Sequence, residues 1–156
     1  MKKSLILIFL LLIAISSSTI GQMAVGYGTD GNTLSLSSNP SHKLWGEFRV
    51  STKSYNQADW SYNDRGITQL YMLSNIFTSG KASLYGGLGF GANLLSKGND
   101  IWISVNIPVG LKMNPFASLP DMFLFGEYTP MIITNDGPPV IHCMSVGFRY
   151  ILSKKE

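Results

Sequence analysis

Residues 101–113 read IWISVNIPVGLKM, and their alternation decides the fold. Ile101, Ile103, Val105, Ile107, Val109, Leu111 and Met113 fall on one face; Trp102, Ser104, Asn106, Pro108, Gly110 and Lys112 fall on the other. A period of two marks a strand with two unlike faces. The stretch is also long. A soluble strand averages about five or six residues, whereas a strand crossing a membrane at a tilt needs about 9–11.

The same scheme recurs outward from this segment. In residues 83–95, Leu84, Leu88, Phe90, Ala92 and Leu94 oppose Ser83, Tyr85, Gly87, Gly89, Gly91 and Asn93. In residues 43–51, Leu44, Phe48 and Val50 oppose Lys43, Glu47 and Arg49. Near the end, Val140, Met144, Val146, Phe148, Tyr150 and Leu152 oppose Cys143, Ser145, Gly147 and Arg149. Turn signals separate the segments, among them Thr29-Asp30-Gly31-Asn32, Asn39-Pro40-Ser41, Ser79-Gly80-Lys81 and Asn135-Asp136-Gly137-Pro138-Pro139. The reading is eight strands over 22–28, 33–38, 43–53, 66–78, 82–96, 100–113, 122–134 and 139–152. The fold class is therefore all-β: one closed antiparallel up-and-down transmembrane β-barrel. An even strand count puts both termini at one end, as bacterial single-chain barrels require. Pro108 and Pro130 fall inside strands, where a missing N–H breaks a ladder bond, and are read as marking bulges.

Residues 1–21 carry a different signal. Lys2 and Lys3 precede an uncharged apolar run over 5–15, followed by small residues with Thr19 and Gly21 at signal-peptidase spacing. That is a cleaved secretory signal peptide, leaving residues 22–156 as the barrel domain. The apolar run falls short of the roughly 20 residues a spanning helix needs. Without Lys2 and Lys3 the 12 basic residues become 10 against 9 acidic ones, so the exported chain is near neutral and nothing supports nucleic-acid binding. Charged residues make up 13% of the chain, against roughly 25% in an ordinary soluble protein. A single cysteine, Cys143, allows no internal disulfide.

The strand pattern, with the terminal segment Met144-Ser145-Val146-Gly147-Phe148-Arg149-Tyr150-Ile151-Leu152, resembles the small eight-stranded outer-membrane barrels of the OmpA/OmpX type. The resemblance covers nearly the whole exported chain. It implies an outer-membrane location, contact with outer-membrane lipid, and reading of the last strand by the barrel assembly machinery. Ser153 to Glu156 follow that strand, a departure from the usual terminal Phe. With the exported N-terminus in the periplasm, the connections after strands one, three, five and seven would face the exterior. The third connection carries Tyr55, Trp60 and Tyr62, which are the candidates for touching an external ligand or protein.

Glu47, Arg49, Lys112, Glu127 and Arg149 lie mid-strand on the faces assigned to the lumen. An eight-stranded barrel is just wide enough for side chains to fill it. These charges therefore read as a structural ionic plug rather than the gate of a pore. Gly87-Leu88-Gly89-Phe90-Gly91-Ala92 matches a dinucleotide fingerprint in letters only, because no helix follows it. Its glycines read as space left for bulky neighbours such as Tyr85 or Trp102, and no cofactor is expected. His142 and Ser145 are three residues apart on a strand and so point to opposite faces, which argues against a hydrolase pair. Two scattered histidines and one cysteine make no metal site. Phe123, Phe125, Tyr128, Phe148 and Tyr150 suit interfacial girdles, whereas Trp45 and Trp102 read as interior packing.

Alternation alone does not say which face points outward. A structural or surface-interaction role in the outer membrane is the first reading, with no catalysis inferred. A soluble periplasmic barrel of lipocalin type holding an apolar ligand is the second, and a lipid A-modifying barrel enzyme is the third.

Overall fold

The computed structural model describes residues 22–30, 32–51, 54–56, 61–63, 66–94, 102–134 and 140–152. Residues 1–21, read from the sequence as a signal peptide, lie outside them. Among the described residues there are eleven strands: β1 (Met23–Gly28), β2 (Thr33–Ser38), β3 (Leu44–Ser51), β4 (Ser54–Asn56), β5 (Ser61–Asn63), β6 (Ile67–Ser79), β7 (Ala82–Ala92), β8 (Ile103–Asn106), β9 (Val109–Met113), β10 (Met122–Ile133) and β11 (Val140–Leu152). β4 and β5 form a small hairpin of their own. β8 and β9 are two halves of one stave, both paired with β7 and with β10. The remaining strands pair in chain order, and β1 pairs with β11 from Met23↔Leu152 to Gly28↔Gly147. This is a closed antiparallel barrel of eight staves.

One rung of the ladder shows both closure and polarity. Val25 pairs with Leu36, Leu36 with Phe48, Phe48 with Leu70, and Leu70 with Phe90. The rung continues through Val105 and Ile132 to Val140. Every residue on it is apolar and on the outer face. Val25 itself pairs with Tyr150, so the circuit returns to β11 ten residues from its start (150 − 140). A shear of ten on eight staves gives a strand tilt of about 40°.

The faces sort by chemistry. Leu88, Phe90, Met144 and Val146 are exposed, Met144 at 78%, while Glu47 and Arg149 are 2% and 0% exposed. That is the reverse of a lipocalin, whose apolar face lines the interior. Trp45 and Trp102 are buried inside as the pattern indicates. Phe123 and Phe125 do not belong to a lipid-side girdle; they share the inner parity of Glu127 on β10, and Phe125 packs on Arg149. The physical reason is volume: a charged lumen this narrow is filled best by flat rings against guanidinium planes.

Three irregularities depart from the simple pattern. Pro108 breaks the stave between β8 and β9, yet the register on either side is the same, Asn106↔Met131 before it and Val109↔Tyr128 after it. Neither Pro108 nor Pro130 marks a bulge; the backbone passes them with Ile107 N donating to Pro130 O at 3.1 Å and Gly87 N to Pro108 O at 3.1 Å. The bulge is in β6, between Asn75 and Phe77. There Ile76 is the extra residue, and Asn75, still paired with Tyr85, donates its side-chain amide to Pro40 O (3.1 Å) and His42 O (2.7 Å), tying the β2–β3 turn to the wall. The third departure is the β4–β5 hairpin, inside a connection read as a plain loop.

Glycines on the inner face make room for rings. A Cβ on Gly110 would stand 2.5 Å from Tyr85 Cζ and 2.8 Å from Gly126 O, and one on Gly89 would overlap the Tyr71 ring. By contrast, a Cβ on the outward Gly126 would meet nothing nearer than 4.0 Å. Gly110→Val is expected to destabilise the barrel by about 1–3 kcal/mol through overpacking. Gly126→Ala is expected to leave it within about 0.5 kcal/mol. Urea unfolding of the two variants from phospholipid vesicles measures the difference.

Candidate functional site

The inner parity of β3, β10 and β11 brings four charged side chains to one place. Arg49 presents its guanidinium edge to Glu127, with Nη1 donating to Oε1 at 2.5 Å and Nη2 to Oε2 at 2.8 Å. Its Nε donates to Glu47 Oε1 at 3.1 Å. On the other side of Glu47, Arg149 Nη2 lies 3.0 Å from Oε2, and it also reaches Glu127 Oε2 at 3.6 Å. Two cations and two anions thus alternate in a closed quartet, and the forked Arg49–Glu127 pair is its shortest contact. A bidentate arginine–carboxylate pair is among the stronger ionic contacts available to a protein.

The quartet is completed by uncharged groups. Tyr85 OH donates to Glu127 Oε2 at 2.8 Å and Thr129 Oγ1 to Glu127 Oε1 at 2.8 Å. Arg49 lies over the Tyr71 ring at 4.2 Å, and Arg149 over Phe125 at 4.0 Å. Asn106 Nδ2 holds the Tyr71 hydroxyl at 3.1 Å. Above and below, apolar groups close the stack: Ile67, Trp102, Met131 and Ile141 toward the loop end, and Trp45, Leu73 and the Tyr71 and Tyr85 rings toward the end with the termini.

Lys112 is placed apart from the other four lumen charges singled out by sequence. Its ammonium donates to Pro40 O and sits 4.3 Å from the Trp45 ring centre. It secures the β2–β3 turn to the barrel rather than joining the quartet. Tyr71, Tyr85, Phe125 and Thr129 are the uncharged partners of the quartet that sequence reasoning did not single out for this role. Their inner parity, with Gly89 and Gly110 opposite the two tyrosines, is the signal that finds them.

Asp30, in the β1–β2 turn, points into the notch left by Gly28. A Cβ there would lie 2.9 Å from Asp30 Oδ1 and 2.7 Å from Ser145 Oγ. Burial raises the Asp30 carboxyl above its ordinary value, while the Ser145 hydroxyl and Arg49 pull it back down. His142 is exposed on the outer face, with Nδ1 2.5 Å from Tyr128 OH and the rings stacked at 5.8 Å. Ser145 is buried on the inner face. Tyr55 and Tyr62 are register partners across the β4–β5 hairpin, and Trp60 lies outside the described residues. Among the described residues no group of His, Cys, Asp and Glu could hold a metal ion.

Removing one member of the quartet strands a buried charge, and this typically costs about 3–5 kcal/mol. Arg49→Met should lose stability on that scale in reversible urea unfolding from vesicles. Pairing it with Glu127→Gln should restore a large part of the loss, because the stranded carboxylate is then gone.

No family profile matches the chain, and no curated protein does. Solved structures do. The N-terminal β-barrel domain of Pseudomonas aeruginosa OprF matches with a TM-score of 0.51 at 13% identity, over 84% of this chain and 96% of that one. Yersinia pestis Ail, an outer membrane protein seen in a bilayer nanodisc, matches with a TM-score of 0.45 at 16% identity, over 84% and 97%. The fold of this chain is that of the small eight-stranded outer-membrane barrels.

Proposed function

We propose that this chain is an integral outer-membrane protein whose lumen is a neutral, filled plug and whose role is structural or surface-presenting. The observation that carries this reading is the inversion of an ordinary protein: an exposed apolar outer face around a buried quartet of ions. Only a hydrocarbon solvent makes that arrangement favourable, and only closed barrels and helices satisfy the backbone there. The targeting segment at 1–21 and the alternating strand β11, suited to the barrel assembly machinery, support the same route. With both termini on the periplasmic side, the β4–β5 hairpin and its Tyr55, Trp60 and Tyr62 would present aromatic surface to the exterior. The partners are then outer-membrane lipid and an external ligand or protein at that hairpin.

Cell fractionation followed by gel migration with and without boiling tests the location. The chain is expected in the outer membrane, migrating faster unboiled; recovery from the soluble periplasm without a mobility shift would overturn the proposal. In planar bilayers the folded chain is expected to show no steady ion conductance, since an eight-stave interior is just wide enough for side chains to fill. Sustained conductance would contradict the plug.

A further inference from the structure

The outer apolar belt has unequal height. On the β8–β9 stave the outward apolar residues run from Ile103 to Met113, ten residues apart, and along β7 and just past its end from Leu84 to Leu94. At about 3.3 Å per residue and about 40° tilt, ten residues climb about 25 Å, the usual height of an outer-membrane belt. On β1 the belt is only Met23, Val25 and Tyr27, and on β2 only Leu34 and Leu36. Four residues, Met23 to Tyr27, climb about 10 Å. Above them come exposed Thr29 and Asn32, the polar ends of the turn.

The shear turns this shortfall into a step. One rung joins Tyr27, Leu34, Val50, Thr68, Ala92 and Ile103. Because a full circuit of eight staves climbs ten residues, or about 25 Å, five staves raise Ile103 about 16 Å above Tyr27. The rim therefore rises as a spiral ramp and drops at the β11–β1 seam. The last seam bonds are Thr29 N to Val146 O at 2.9 Å and Val146 N to Thr29 Oγ1 at 3.2 Å. Above them, residues 140–145 of β11 have no ladder partner on the β1 side among the described residues.

We propose that this step thins the bilayer locally, seating lipid headgroups and their water over the β1–β2 turn and against the free edge of β11. The exposed polar residues of the turn, and the edge of β11 that is unpaired among the described residues, are solvated by hydrogen-bonding groups that hydrocarbon cannot supply. Phosphate headgroups with bound water supply acceptors and donors at that depth. A second copy in the same membrane cannot pair with this edge. A twofold axis along the membrane normal relates two such strands in parallel with the same edges facing, which is not a β-ladder.

The inference rests on the outer-membrane reading, and spin labels separate the two. Asn32→Cys, Thr29→Cys and Ile103→Cys, each in a Cys143→Ala background, are folded into phosphatidylcholine vesicles and checked by unboiled gel migration. Collision with a water-soluble nickel chelate is compared with collision with oxygen. The labels at Asn32 and Thr29 are expected to meet the chelate several-fold more often than the label at Ile103, although Ile103 stands higher on the barrel. Two turn positions guard against one variant failing to fold. Oxygen-dominated signals at the turn, with Ile103 in hydrocarbon, would overturn the step alone, as would turn labels shielded from both reagents by another chain. A chelate-dominated signal at Ile103 would overturn the membrane reading with it.

Discussion

The constraint on which the rest of this structure depends is closure of the backbone ladder between β1 and β11. In hydrocarbon an unpaired N–H or C=O costs several kcal/mol, so a sheet must join its own first and last strands. Closure with eight staves and a shear of ten sets the radius, and the radius sets the interior. An interior that narrow holds side chains and little else. Once the apolar side chains take the outer face, every residue of opposite parity is forced inside.

That forcing explains why the charges occur as a quartet. A lone buried cation would be expelled or neutralised, but Arg49, Arg149, Glu47 and Glu127 cancel as a group, and Tyr85 and Thr129 supply further hydrogen bonds to Glu127. The tyrosine and phenylalanine rings complete the arrangement by stacking on guanidinium planes while filling volume. Gly89 and Gly110 matter for the same reason, since each vacates the space that a ring occupies. Lys112 obeys a different requirement, holding a turn at the rim through Pro40 and Trp45.

Much of this was legible in residue alternation. The eight staves, their boundaries to within a few residues and the inner parity of Glu47, Arg49, Lys112, Glu127 and Arg149 follow from a period of two. Which charge meets which does not follow. Arg49 and Glu127 are far apart in sequence, and they meet because the shear carries β3 and β10 to facing positions across the lumen, information spread over every turn of the barrel. Orientation of the two faces is likewise a property of the solvent rather than of the pattern. The bulge between Asn75 and Phe77 is not legible locally, because it sits beside tertiary bonds from Asn75 to Pro40 and His42, while Pro108 and Pro130 leave the register unbroken. The β4–β5 hairpin has a mark in the sequence, since the tripeptide Ser-Tyr-Asn occurs at 54–56 and again at 61–63.

Labelling with a carbene precursor dissolved in the bilayer tests the central claim on the unmodified chain. Activated in lipid and located by mass spectrometry, the carbene reaches only what hydrocarbon touches. Insertion is expected at Leu70, Met72, Leu88, Phe90, Val146 and Phe148, with Trp45, Tyr71, Leu73 and Tyr85 unlabelled. Labelling of the second set with sparing of the first would mean that the faces are reversed and that the charged quartet is not the core of this barrel.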